Sequence, residues 1–185
     1  MCGIVGLFLK DKKLESDLGI LISEMLIKMS DRGPDSAGLA LYSKDKKFNK
    51  KVTIRVNCPN ERKALKRALT KEMKNNYRLV LRGNHMVISS STKTNAAILN
   101  LLGSMNLLFQ VMSEGETIEI FKEACSPADF IADCNIQNFS GTHAVGHTRM
   151  ATESAVTTLG AHPFSTGEDQ CLVHNGSLSN HNIVR

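Results

Sequence analysis

Tryptophan is missing from this chain of 185 residues, tyrosine occurs twice, and aromatic residues make up only 5% of it. A nucleic-acid-binding surface needs stacking platforms or a recognition motif among its cations. The lysine-rich patches Lys10 to Lys13 and Lys44 to Lys51, and the basic stretch Arg62 to Lys74, have neither, so the formal charge of +5 reads as solvated surface. No run approaches the roughly 18 uninterrupted apolar residues of a transmembrane helix. The N-terminus also lacks the basic start and apolar stretch of a signal peptide. These absences predict a cytoplasmic protein that engages neither nucleic acid nor membrane. Five cysteines are odd in number and contain no C-x-x-C pair, which argues against a disulfide framework or a zinc ribbon. No G-x-G-x-x-G follows a strand-like run and no cysteine cluster suits an iron–sulfur centre, so no cofactor is expected in this chain.

What is present fits one domain spanning 1–185, with 42% hydrophobic and 22% charged residues. Ile4 to Leu9 is an apolar run of strand length, expected to be buried, with Cys2 at its start. Leu14, Leu18, Leu21, Ile22, Met25, Leu26 and Met29 recur at helical spacing and predict one amphipathic helix ending near "SDRG". Strands are predicted over Ala37 to Tyr42, Lys51 to Val56, Leu79 to Ser90 with a break near "RGN", Thr142 to Thr148 and Cys171 to His174. Helices are predicted over Glu61 to Lys74 and Thr94 to Met105. The stretch "LLFQVMSEGETIEIFKE" reads as a hairpin turning at Glu114 and Gly115. A further helix is expected to start within "SLSNHNIVR". The absence of a stop signal there predicts that the domain continues beyond Arg185.

The chemistry centres on "MCGIVGLF". A cysteine thiol has a reference pKa of about 8.5 and needs a base at neutral pH, whereas an α-amino group titrates at about 7.7–8.0. If Met1 is trimmed, Cys2 carries nucleophile and base on one residue. A buried cysteine is otherwise a small hydrophobe. Acyl transfer also needs donors for the oxyanion, and Asn175 and Gly176 in "VHNGSLSNH" offer a side-chain amide beside a backbone N–H. Alone, an Asn-Gly pair is an ordinary turn. In "GHTRMATES", Arg149 can clamp a carboxylate through its planar fork with help from the hydroxyl of Thr152. In "RGPDSAG", Arg32 and Gly33 form a loop whose backbone can approach a terminal amine closely; the alternative is a plain turn with a solvated charge. His143, His147, His162, His174 and His181 crowd the C-terminal part, where a metal site has to be weighed because imidazole is a common ligand, but no metal is expected.

In that order, "CGIVG", "RGPDSAG", "GHTRMATES", "AHPF" and "VHNGSLSNH" resemble the class II glutamine amidotransferases, the N-terminal-nucleophile type. The segment "SGTHAVGHTRMATESAVTTLGAHPFSTGEDQCLVHNGSLSNHN" is similar in particular to the amidotransferase subunits and domains of glutamate synthase and N-methylglutamate synthase. The motifs cover residues 2 to 42 and about 140 to 182. The resemblance implies an α+β fold, a four-layer αββα N-terminal-nucleophile hydrolase sandwich incomplete at the C-terminus. It implies L-glutamine as substrate, Cys2 as nucleophile and base, Asn175 and Gly176 as oxyanion hole, Arg149 and Thr152 on the α-carboxylate, and Arg32 and Gly33 supporting the N-terminus. It also implies a synthase subunit or domain that accepts the ammonia. Two departures stand out: Glu153 occupies a position where several relatives carry histidine, and the acidic residue that binds the substrate amino group in the family lies further along than Arg185. The competing expectations are a catalytically silent truncated or regulatory subunit, a hydrolase acting on another amide, and an amidotransferase serving a sugar phosphate or phosphoribosyl pyrophosphate.

Overall fold

Apolar runs of strand length separated by turn residues favour antiparallel pairing, and helices with a single apolar stripe need a sheet face to cover. The computed structural model, which describes residues 2–105, 109–151 and 155–176, follows this logic. In chain order the elements are β1 (Gly3–Phe8), a 3₁₀ segment (Lys12–Asp17), α1 (Leu18–Lys28), β2 (Ser36–Tyr42), β3 (Lys50–Arg55) and α2 (Pro59–Met73). They continue with β4 (Tyr77–Arg82), β5 (His85–Ser90), α3 (Thr92–Ser104), β6 (Gln110–Gly115), β7 (Ile118–Glu123), α4 (Pro127–Cys134), β8 (His143–Arg149), β9 (Phe164–Gly167) and β10 (Gln170–Leu172). Among the described residues the strands form two four-stranded sheets, ordered β1-β8-β2-β7 and β4-β5-β3-β6, plus a β9–β10 hairpin. Every pairing is antiparallel. The chain is therefore α+β.

Each sheet buries one face beneath helices. Leu18, Ile22 and Leu26 of α1 and Phe130 and Ile131 of α4 pack on Leu39, Leu41 and Phe121 of the first sheet. Leu65, Leu69 and Met73, one turn apart along α2, join Ile98 and Leu102 of α3 on Val52, Ile54, Met86 and Ile88 of the second. Burying each such Leu or Ile contributes about 1.5–3 kcal/mol. Charged pairs link the sheets: the Lys51 ammonium, whose side chain is 2% exposed, lies 2.5 Å from Glu119, and Arg55 forks onto Glu123 at 2.7 and 2.8 Å. The Lys51 ammonium also donates to the carbonyl and hydroxyl of Ser43, so all three of its protons have acceptors.

Three expectations need correction. The helix predicted from Leu14 onward begins only at Leu18, because tertiary bonds take the backbone groups an α-turn would use there. Gly19 N–H donates to the Phe139 carbonyl, and the Glu15 carbonyl accepts from Gly141 N–H, which together replace the Gly19-to-Glu15 bond of a continuous helix. Strand β1 is an edge strand rather than a buried one, with Ile4 41% and Phe8 65% exposed. The hairpin expected over 107–123 is not formed among its described residues, 109–123: β6 pairs with β3 and β7 with β2, in different sheets. The reason lies in Asp169. Its carboxylate accepts from the N–H groups of Glu116, Thr117 and Ile118 at 2.8, 2.7 and 2.9 Å and from the Thr117 hydroxyl, satisfying turn donors that a two-stranded ladder would otherwise use. The helix expected within "SLSNHNIVR" lies outside the described residues. Helix α4, by contrast, went unpredicted despite a readable start: Ser126 Oγ accepts from Asp129 N–H and Pro127 takes the first turn.

Asp169 ties the β9–β10 hairpin to the β6–β7 connection, and the chain leaving β10 leads to Asn175. Burial alone would raise its carboxyl, but the three N–H donors and the Thr117 hydroxyl hold it below its ordinary value of 3.8. A depressed folded-state pKa adds stability that is complete above the unfolded value and is lost as pH falls through the folded one. Asp169→Ala is expected to lower stability by about 2 kcal/mol at pH 7, with the gap to wild type shrinking below pH ~4, in urea unfolding at several pH values. A gap that stays constant into acid would show that the charge is not what holds the turn.

Candidate active site

The order of the first sheet assembles the site. In antiparallel pairs the start of one strand lies beside the end of its neighbour. Gly3 of β1 stands opposite Thr148, and Ser36 of β2 opposite Arg149, both in β8. One edge of the sheet thus gathers Cys2, just before β1, Arg149, the last residue of β8, and the "RGPDS" loop leading into β2. The loop grips the end of β8 from both sides. Asp35 N–H donates to the Arg149 carbonyl at 3.0 Å, and the Asp35 carboxylate accepts from Ala151 N–H at 2.7 Å. Gly33 lies against the preceding peptide, between Thr148 and Arg149, and a Cβ there would overlap its backbone, so only glycine fits. Thr148 donates its hydroxyl to the Met29 carbonyl at 3.1 Å, joining the strand to the end of α1. The Arg149 guanidinium rests over Gly160, where an added Cβ would stand 2.9 Å from Nη1.

The fourth component arrives from β10. Asn175 Nδ2 donates to the Cys2 carbonyl at 3.0 Å, joining residues 173 positions apart. A primary amide carries two N–H bonds. One is aimed at the Cys2 carbonyl and fixes the orientation of the group, which leaves the second for another acceptor. Gly176 follows with φ of 151°, a conformation that side chains disfavour, and with its Cα facing the His174 ring.

Behind this edge lies a group of imidazoles. The His147 and His162 rings are 4.5 Å apart, His162 meets Phe164 edge-on at 4.4 Å, and His147 Nε2 lies 3.0 Å from the His174 carbonyl. Burial pushes His162 down to about 4, with the neighbouring His147, Lys122 and Arg149 adding to the effect, and burial likewise lowers His147. Burial thus favours the neutral form of both rings. Lys122 sends its ammonium from β7 to the Ala161 carbonyl at 2.8 Å and over the Phe164 ring at 4.4 Å, and burial lowers its pKa to about 8. His85 is buried elsewhere, accepting from Lys122 N–H through Nε2, and its pKa is lowered to about 4, chiefly by burial.

The structure therefore brings Cys2, Gly33, Arg149, Asn175 and Gly176 to one end of one sheet. Arg32 is exposed in the turn before Gly33, its own N–H bonded to the Met29 carbonyl. Thr152, Glu153 and His181 lie outside the described residues. Sequence reading missed Asp35, which sits within a motif already singled out and whose position after Pro34 favours turn hydrogen bonds. It also missed Lys122, for which a lone lysine in an apolar strand offered no signal. All five cysteines are free, and burial raises Cys125 to about 11 and Cys134 to about 12, leaving both as unreactive thiols. Among the described residues no set of three His, Cys, Asp or Glu side chains is placed to hold a metal ion, and no helix is long and apolar enough to cross a membrane.

No protein-family model matches the chain. Among curated proteins it is 51% identical over 186 aligned residues to the glutamine amidotransferase-like protein GlxB of Rhizobium meliloti (strain 1021), covering all of the chain and 62% of that protein. It is 29% identical over 203 aligned residues to a putative glutamine amidotransferase of Methanothermobacter thermautotrophicus, again covering the whole chain and 64% of the relative. A shorter match, 37% identical over 71 residues, covers 37% of the chain and 11% of the glutamine–fructose-6-phosphate aminotransferase (isomerizing) of Geobacillus kaustophilus. The chain thus spans less than two thirds of the length of the first two relatives. Along its full length the chain is thus similar to proteins named as glutamine amidotransferases or amidotransferase-like.

Proposed function

We propose that this chain is a class II, N-terminal-nucleophile glutamine amidotransferase that hydrolyses L-glutamine at Cys2 and delivers ammonia to a synthase-type partner. The observation that carries the reading is the bond from Asn175 to the Cys2 carbonyl, which ties an amide donor to the backbone of the proposed nucleophile. The motif resemblance and the names of the full-length relatives point the same way. The four-layer αββα architecture belongs to the same proposal, and the two antiparallel sheets with helices on each are compatible with it.

In this mechanism, removal of Met1 frees the α-amine of Cys2, which takes the thiol proton. The sulfur attacks the side-chain carbonyl carbon of glutamine. The second N–H of the Asn175 amide and the N–H of Gly176 receive the oxyanion. The terminal ammonium then returns a proton to the leaving nitrogen, the C–N bond breaks, and ammonia departs from a γ-glutamyl thioester. Water resolves the thioester to glutamate and regenerates the thiol. Arg149 pairs with the α-carboxylate, aided by Thr152, while Arg32 and Gly33 hold the loop beside the N-terminus.

The acceptor of ammonia is proposed to be a glutamate synthase-like subunit or domain, following the resemblance over residues 140–182. The alternative of a sugar-phosphate acceptor draws on the match to the Geobacillus aminotransferase. That match covers 37% of this chain and 11% of the aminotransferase.

Mass spectrometry of the purified protein should show Met1 absent, and Cys2→Ala should abolish glutaminase turnover with the fold intact by circular dichroism. Turnover retained without the thiol would place the nucleophile elsewhere and remove the reading. Asn175→Ala should lower kcat by about 10²–10³-fold, the usual cost of one oxyanion donor. Arg149→Lys should raise KM for glutamine and change kcat little, since a point charge cannot reproduce a two-pronged carboxylate contact; an unchanged KM would strip Arg149 of its role.

A further inference from the structure

We propose that His147 is a positioning residue for the oxyanion donors: by donating from Nε2 to the His174 carbonyl, it orients the peptide that carries Asn175 and Gly176. This rests on the reading of those two residues given above.

His147 is 1% exposed, in the middle sheet position between Ile4 of β1 and Gly38 of β2. Its Nε2 lies 3.0 Å from the His174 carbonyl oxygen. A carbonyl only accepts, so the proton is on Nε2. That assignment excludes the ring as a base toward Cys2 through this nitrogen, because the lone pair a base needs is not there. The ring therefore acts by direction and not by proton transfer.

Its own orientation is fixed from behind. The His162 ring lies against it, His162 is held in turn by Phe164, and Lys122 pins the same segment through the Ala161 carbonyl. The acceptor end is equally constrained. The His174 carbonyl and the Asn175 N–H share one planar peptide unit. Fixing that carbonyl sets the Cα from which the Asn175 side chain reaches Cys2, and one peptide later comes the Gly176 N–H. Two hydrogen bonds tie residues 173–176 to the first sheet: His147 to the His174 carbonyl and Asn175 to the Cys2 carbonyl. The first holds the backbone, so the second can hold the amide. Strand β10 ends at Leu172, so the sheet ladder itself does not reach these residues.

The test compares H147N and H147Q in the full chain. A glutamine amide reaches about as far as Nε2 of histidine, whereas an asparagine amide stops near the position of Nδ1. Two readouts are taken: steady-state glutaminase kinetics, and amide hydrogen exchange over residues 173–176 by mass spectrometry. H147N is expected to lower kcat by about 10²-fold with KM nearly unchanged, because oxyanion donors act in the transition state, and to speed exchange in the segment. H147Q should restore both. Wild-type kcat and exchange in H147N would overturn the proposal, as would a change confined to KM. If H147N does not fold, H147A takes its place with the same two readouts, the same expected loss of about 10²-fold in kcat and the same overturning results. If the wild-type protein shows no Cys2-dependent turnover, the functional reading fails, and the exchange comparison still decides whether His147 orders the segment.

Discussion

The antiparallel ladder β1-β8-β2 is the constraint on which the site depends. Its registers set Gly3 beside Thr148 and Ser36 beside Arg149, so three chain positions far apart in sequence meet at one sheet edge. A slip of one residue would turn every side chain of the slipped strand to the other face. Arg149 would then leave Gly160, and His147 would leave the His174 carbonyl. Helix α1 guards the register from one face through Leu18, Ile22 and Leu26, and the "RGPDS" loop guards it at the end through Asp35 and Gly33.

The second constraint lies outside that sheet. The segment bearing Asn175 is the tail of the β9–β10 hairpin, whose turn residue Asp169 is anchored by four hydrogen bonds to the β6–β7 connection. That connection in turn joins the two sheets, which are also tied by Lys51–Glu119 and Arg55–Glu123. Buried ion pairs of this kind add little net stability but are costly to break singly. The position of Asn175 and Gly176 thus rests on polar contacts between elements, with apolar burial supplying the cohesion.

Local pattern made much of the fold legible. The spacing of Leu65, Leu69 and Met73 marks α2 as an amphipathic helix, and its apolar stripe is the face that packs on the second sheet. Pattern failed where tertiary bonds competed with local ones. At Glu15 and Gly19 the helix loses its first turn to the 139–141 segment. At Glu116 to Ile118 a distant carboxylate replaces hairpin partners, which no window around the turn could disclose. Helix α4 is a different case, since Ser126, Pro127 and Asp129 form a start signal that local reading could have used.

The sequence by itself determined the chemical inventory: a cysteine behind Met1, an Asn-Gly pair after a strand, an arginine at the close of a strand, and glycines where backbones touch. It also determined most strands and helices, because their periodicity is a property of neighbouring residues. Only the tertiary structure decided that these groups meet at one edge, that β6 and β7 go to different sheets, and that His147 points at the His174 carbonyl. Strand order and register depend on contacts between residues distant in the chain, and the energies that select them arise only when the sheets, helices and the Asp169 turn are packed together.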